Sequence, residues 1–127
     1  MWEAEVLENV FLVWLLEAEV GNGGFNQYFW NTLPELVART TEALVAVDVP
    51  EVLVVFTEAL AVGDEEAERR AEFKAQGTVE AFLESYRGSA LENLDRRFMK
   101  VTKKLAAKRI RYVRTNERAF KTHEHDA

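Results

Sequence analysis

Two rows of charged side chains and one glycine-rich turn are where this chain's residue types and spacing reach toward chemistry. Glu35 and Glu42 stand seven residues apart, and so do Glu51 and Glu58. Seven residues are two helical turns, so each pair shares a helix face at about 10 Å separation. Two such helices side by side present four carboxylates as a coarse anionic array, suited to a basic protein surface. A denser anionic surface needs further groups such as Glu17, Asp64 and Glu65. The plainer alternative is a solvated acidic face that serves solubility.

Downstream the sign reverses. Arg96, Lys100, Lys104 and Lys108 fall at successive i,i+4 positions, where each like-charged neighbour costs about 0.2–0.5 kcal/mol. Such a row calls for an anion to offset it. The acidic first half of the chain is one source, a second copy's acidic face another, and nucleic acid a third. In the last case Arg111 and Tyr112 add phosphate contact and stacking. The imbalance is global: residues 1–68 hold fourteen carboxylates and one base, Arg39, whereas residues 69–127 hold fifteen bases and eight acids. The formal net charge is -6.

The turn is GNGGFNQYFWN, Gly21 to Asn31. Glycines before a helix start suggest a phosphate cradle, but a P-loop continues with Lys-Ser/Thr and here Phe25-Asn26 follows. The acidic surroundings also repel phosphate. The expectation is therefore structural. Gly23 and Gly24 adopt backbone angles barred to other residues, Asn22, Gln27 and Asn31 hydrogen-bond the exposed backbone ends, and Phe25 and Phe29 plug the core. The alternative has the same amides contacting a small molecule, as in a ligand-binding or hydrolase domain.

Catalysis finds little support. There is no cysteine, and the two histidines, His123 and His125, stand in the terminal THEHDA. No base of suitable pKa is then expected in the core, and four terminal ligands make a weak metal site. The expectation is a protein without enzymatic activity, metal or cofactor.

These residues need elements to hold them, and the pattern is helical throughout. The segment from Trp2 to Glu19 contains seven unbroken apolar residues, Val10 to Leu16. Apolarity on most sides predicts a central, buried helix. Thr32 with Glu35, and Asp48 with Glu51, read as capping pairs, with Pro34 and Pro50 in the first turns. Asp64 to Gln76 reads as a charged surface helix or connector, and Thr78 as the cap of a short helix to Ser85. Ser89 with Glu92 then opens a long basic helix whose stripe is Leu91, Leu94, Phe98, Val101 and Leu105. The predicted architecture is all-α, one compact bundle of about six helices over residues 1–121, with a fraying tail at 122–127. Glu3, Glu5 and Glu8 stand where a secretory signal carries bases, and the apolar run is too short to span a bilayer. A cytoplasmic protein without membrane contact is expected.

With the turn in view, the chain resembles the bacterial DNA-mimic protein domain family. The resemblance rests on Glu19, Asn22, Gly23, Gly24, Phe25, Gln27, Phe29 and Asn31, close to that family's E-x-x-N-G-G-F-x-Q-[YF]-F-x-N. The segment LENLDRRF, Leu91 to Phe98, is similar to a later leucine-aspartate-aromatic stretch, and Tyr112, Asn116 and Phe120 also fit. The resemblance implies an all-α fold and an acidic surface that imitates the DNA backbone. It further implies a DNA-binding or other basic protein as partner, met by a monomer or a homodimer. The basic carboxy-terminal third departs from that pattern and keeps a nucleic-acid face, Arg96, Lys100, Lys104, Lys108 and Arg111, as the alternative.

Overall fold

Prolines set two of the helix starts. In the computed structural model, which describes residues 3–120, α1 spans Glu3–Asn31, α2 Pro34–Val47 and α3 Pro50–Glu65. Pro34 and Pro50 each open their helix, where the missing N–H costs nothing. The residue before a proline is driven to extended backbone, so Leu33 and Val49 become the caps, and neither supplies a side-chain hydrogen bond. This corrects the capping pairs expected at Thr32 and Asp48. Thr32 Oγ1 is buried without a partner among the described residues. Asp48 instead closes α2 in the left-handed region (φ 63°), its N–H reaching the Leu44 and Val45 carbonyls.

The second half adds α4 at Ala67–Ala75, α5 at Val79–Ser85 and α6 at Leu91–Thr115, and residues 117–120 turn helical again. Thr78 caps α5 as expected, accepting from the Ala81 N–H at 3.1 Å. Ser89 does not cap α6 alone. Glu66, at the α3–α4 junction, accepts from Ser89 Oγ at 2.6 Å and from the Ala90 N–H at 3.0 Å. One carboxylate from 23 residues upstream thus fixes where α6 begins. Arg69 of α4 donates to the carbonyls of Ser85 and Arg87, tying α4 to the end of α5.

Packing follows the apolar stripes. α1 lies against α6 and α2, α3 against α6 and α2, while α4 and α5 pair with each other. The core joins Leu12, Val13 and Leu16 of α1 to Leu44 of α2, Phe56 of α3, and Leu91, Phe98 and Leu105 of α6. Aromatic edges lock it: Phe25 meets Phe98 at 5.5 Å between ring centroids and Tyr28 meets Phe56 at 6.0 Å. Burying each such ring contributes about 1.5–3 kcal/mol. α1 is not buried all round, contrary to the sequence expectation. Phe11 and Trp14 are 46% and 51% exposed, because the neighbouring helices leave one side of α1 uncovered. No described helix is long and apolar enough to cross a membrane. The expected tail at 122–127, with His123 and His125, lies outside the described residues.

Glu66→Ala removes both bonds at the start of α6. The expected loss is about 1–3 kcal/mol of unfolding free energy, read as a lower urea midpoint with unchanged helical circular dichroism below the transition.

Candidate functional site: the helix break and the charged faces

The glycine turn is a two-residue break inside α1 rather than a loop. Gly23 (φ -151°, ψ 22°) and Gly24 (φ 74°, ψ -178°) leave the helical region, and the helix resumes at once with Phe25. Restarting a helix leaves backbone N–H groups without intrahelical partners. Asp95 of α6 meets one of them: its carboxylate accepts the Phe25 N–H at 2.7 Å. The Tyr86 hydroxyl donates to the Gly23 carbonyl on the other side of the break. Asn26, buried in the first resumed turn, donates to Ser85 Oγ at 2.7 Å.

The expected role of the amides is therefore corrected. Asn22, Gln27 and Asn31 do not hydrogen-bond the backbone ends through their side chains. Glu19 gathers two of them, accepting Gln27 Nε2 at 2.8 Å and Asn31 Nδ2 at 3.1 Å. Asn22 Nδ2 donates to Gln27 Oε1 at 3.3 Å. A single carboxylate spanning the break ties the first arm of α1 to the second. Phe25 is fully buried as expected, and Phe29 is half-buried beside it at 6.2 Å between centroids. Asn22, Gln27 and Asn31 also line a depression of about 640 Å³ with Trp30, Lys74 and Phe82, but Lys74 Nζ is held by the Trp30 carbonyl at 2.7 Å. Below the break the Tyr28 hydroxyl lies 3.1 Å from Thr40 Oγ1, and burial pushes its pKa up to about 12.

Sequence reasoning missed Asp95, Tyr86 and Ser85 as the groups that receive the break. Asp95 sits inside LENLDRRF, where an acid among core-facing leucines was the available signal. Burial raises the Asp95 pKa from its ordinary value, although the Phe25 N–H pulls the other way.

The four carboxylates expected to form one acidic face are divided. Glu58 pairs with Arg97 at 2.5 Å and Glu51 with Lys104 at 3.2 Å. Asp48 lies 3.8 Å from Lys108, and Glu17 holds Arg109. Glu51 and Glu58 of α3 are thus met by α6, which answers the anion that the basic row called for. The physical reason is packing: α3 and α6 lie side by side, and opposite charges at their edge pair. Glu35 and Glu42 lie on α2, away from these pairs. Arg39, between them, pairs with Glu8 of α1 at 2.8 Å. That bond and Glu8's charge, then the charges of Glu35 and Glu42, raise the Arg39 pKa. Glu5, Glu8, Asn9, Arg39 and Glu42 line a groove of about 490 Å³ between α1 and α2.

The basic row is divided in the same way. Lys104 meets Glu51 of α3, Lys108 lies near Asp48 at the end of α2, and Arg96 pairs along its own helix with Glu92. Lys100, Lys103, Arg111 and Arg114 are exposed and share one stripe by helical spacing. Tyr112 is buried and accepts from Asn9 Nδ2 at 3.1 Å, so it is not offered for base stacking. Among the described residues no group of three or more His, Asp or Glu could hold a metal.

A family model described as DMP19-like protein matches residues 4–116, so the chain belongs to this DNA-mimic family, in agreement with the motif resemblance. No curated protein and no solved structure matches the chain.

Two outcomes follow from the break. Gly24→Ala forces a side chain into the left-handed region and sets a Cβ 2.8 Å from Asp95 Cγ. A loss of about 2–4 kcal/mol is expected, larger than Gly21→Ala gives, where a Cβ meets nothing within 4 Å. Asp95→Asn tests the carboxyl's ionisation. A raised folded-state pKa contributes stability below the unfolded value and loses it as pH rises through the folded value. The melting temperature of wild type relative to Asp95→Asn should therefore fall as the pH rises from the ordinary aspartate pKa of about 4 through the raised folded-state value. A constant difference removes the buried-carboxyl account.

Proposed function

We propose that this member of the DMP19-like family is a non-enzymatic, cytoplasmic protein-binding domain of the DNA-mimic type. Its acidic surface occupies a DNA-binding or other basic protein in the place of DNA. The single observation that carries the reading is the division of charge between the helices. Glu51 and Glu58 of α3 are met by α6, but Glu5, Glu8 and Glu42 line the α1–α2 groove around one base, Arg39, on which the charge of Glu35 also acts. Low-lying exposed carboxylates in a concave strip favour cationic side chains and steer them in at low salt. The acidic surface of this proposal therefore keeps Glu35 and Glu42, replaces Glu51 and Glu58 with Glu5 and Glu8, and runs along α1 and α2.

A second reading has its own observation. The stripe Lys100, Lys103, Arg111 and Arg114 leaves four exposed bases on one side of α6, an arrangement suited to phosphate contacts.

One experiment separates the two. DNA-binding proteins are loaded on DNA-cellulose at low salt, and purified protein is passed over them. The mimic reading expects release of bound basic proteins, with the Glu35→Lys/Glu42→Lys variant weaker by about tenfold. Retention of the protein itself on bare DNA-cellulose, lost in Lys103→Glu/Arg111→Glu, favours the stripe. Release that is equal for the wild type and the glutamate variant defeats the α1–α2 groove.

A further inference from the structure

A second concavity lies on the far side of the break, where the second arm of α1 meets α2, α3 and α4. It encloses about 410 Å³, within the range of about 300–1,000 Å³ typical of small-molecule pockets. Its walls are mostly apolar: Phe29, Val37, Leu60 and Ala67 among them. Two polar groups break that lining. Arg70 Nη1 and Thr32 Oγ1 are both buried and without a hydrogen-bond partner among the described residues, and Thr32 is only 9% exposed. Leaving such groups unpaired costs about 1–3 kcal/mol each, so both residues have binding capacity to spare on this pocket.

The rest of the Arg70 guanidinium is fixed. Nη2 donates to the Gly63 carbonyl at 3.1 Å, and the group lies 5.1 Å from the centre of the Phe29 ring. Phe29 in turn stands so close to Gly63 that an added Cβ would meet its ring at 2.8 Å. Gly63, Phe29 and Arg70 therefore form a stacked floor with the cation at one end. Glu66 and Asp64 influence Arg70 only through space, Glu66 having given both oxygens to Ser89 and Ala90. Burial depresses the Arg70 pKa, as expected of a cation short of contacts.

We propose that this pocket binds a small monocarboxylate with an apolar tail. The carboxylate takes the free N–H of Arg70 and the hydroxyl of Thr32 after a small side-chain adjustment, and the tail lies among Val37, Leu60 and Ala67. Asp64 at the wall disfavours a dianion such as phosphate. The assignment is independent of the acidic groove, which lies between α1 and α2 near Glu8 and Glu42.

The test is two-dimensional NMR titration of the full chain with hexanoate, hexanamide and hexylamine over about 0.1–10 mM. Hexanoate should shift the Val37, Ala38, Leu60 and Ala67 methyl signals saturably, and butyrate should bind more weakly, by about fourfold per methylene removed. Hexylamine should shift none of these signals. Arg70→Gln should weaken hexanoate by about tenfold and abolish its advantage over hexanamide. Ala38→Trp, which keeps Arg70 and fills the mouth, should abolish binding in a folded protein and covers the case in which Arg70→Gln does not fold. No saturable shift by hexanoate, equal binding of hexanamide, or full binding by Ala38→Trp would overturn the assignment.

Discussion

One hydrogen bond organises the molecule: the Phe25 N–H on the Asp95 carboxylate. An interrupted helix must find partners for the backbone groups it exposes, and here they come from distant parts of the chain. Asp95 lies 70 residues downstream of Phe25, and Tyr86, on the Gly23 carbonyl, lies 63 residues downstream of that glycine. The break can therefore form only when α6 and the turn after α5 are in place. Conversely, α6 cannot slide along α1 without uncapping the second arm. Gly24 is the sequence's concession to this contact, since a side chain there would stand where Asp95 must stand.

That registry then decides the electrostatics. With Asp95 fixed opposite Phe25, α6 runs back along α1, so Arg109 reaches Glu17 and Tyr112 meets Asn9. The same placement lays the other edge of α6 along α3 and brings Arg97, Lys104 and Lys108 to Glu58, Glu51 and Asp48. These ion pairs are largely exposed, and exposed pairs contribute little, with a median of about 0–1 kcal/mol. Packing, not charge, holds α6. The pairs matter because they engage Glu51 and Glu58 and leave Glu35 and Glu42 of α2 away from α6.

Helix identity was legible because the apolar stripes and the glycine and proline positions are local properties. Leu91, Leu94, Phe98 and Leu105 repeat at 3-4 spacing and are all buried. Cap identity was not, because two of the caps are supplied from far away. Nothing within reach of Ser89 in sequence says that Glu66 will meet it, and nothing near Gly24 announces Asp95. The motif Glu19 to Asn31 was visible as a unit, yet its amides pair with Glu19 and one another rather than with the backbone. The division of the acidic row was half legible. A like-charged row on α6 required an anion, but which carboxylates supplied it depended on α3, not α2, lying beside that row.

The Phe29 side of the break follows the same logic with a different result. The first arm of α1 is tied to the second by Glu19, and the second is tied to α6 by Asp95, so Phe29 has little freedom to move. Its ring fills the space that Gly63 leaves open and carries the Arg70 guanidinium 5.1 Å from its centre. An arginine placed this way is positioned by packing rather than by a carboxylate. It satisfies α3's terminal carbonyl at Gly63 and leaves one nitrogen over. In a core otherwise completed by hydrogen bonds across 59 to 103 residues of chain, a spare buried donor and a spare buried hydroxyl lining one pocket are an exception. Thr32 is spare because Pro34 moved the helix start one residue along, and Arg70 because Glu66 was drawn to α6. The same displacements that overturned the local capping pattern thus left two polar groups on one pocket wall.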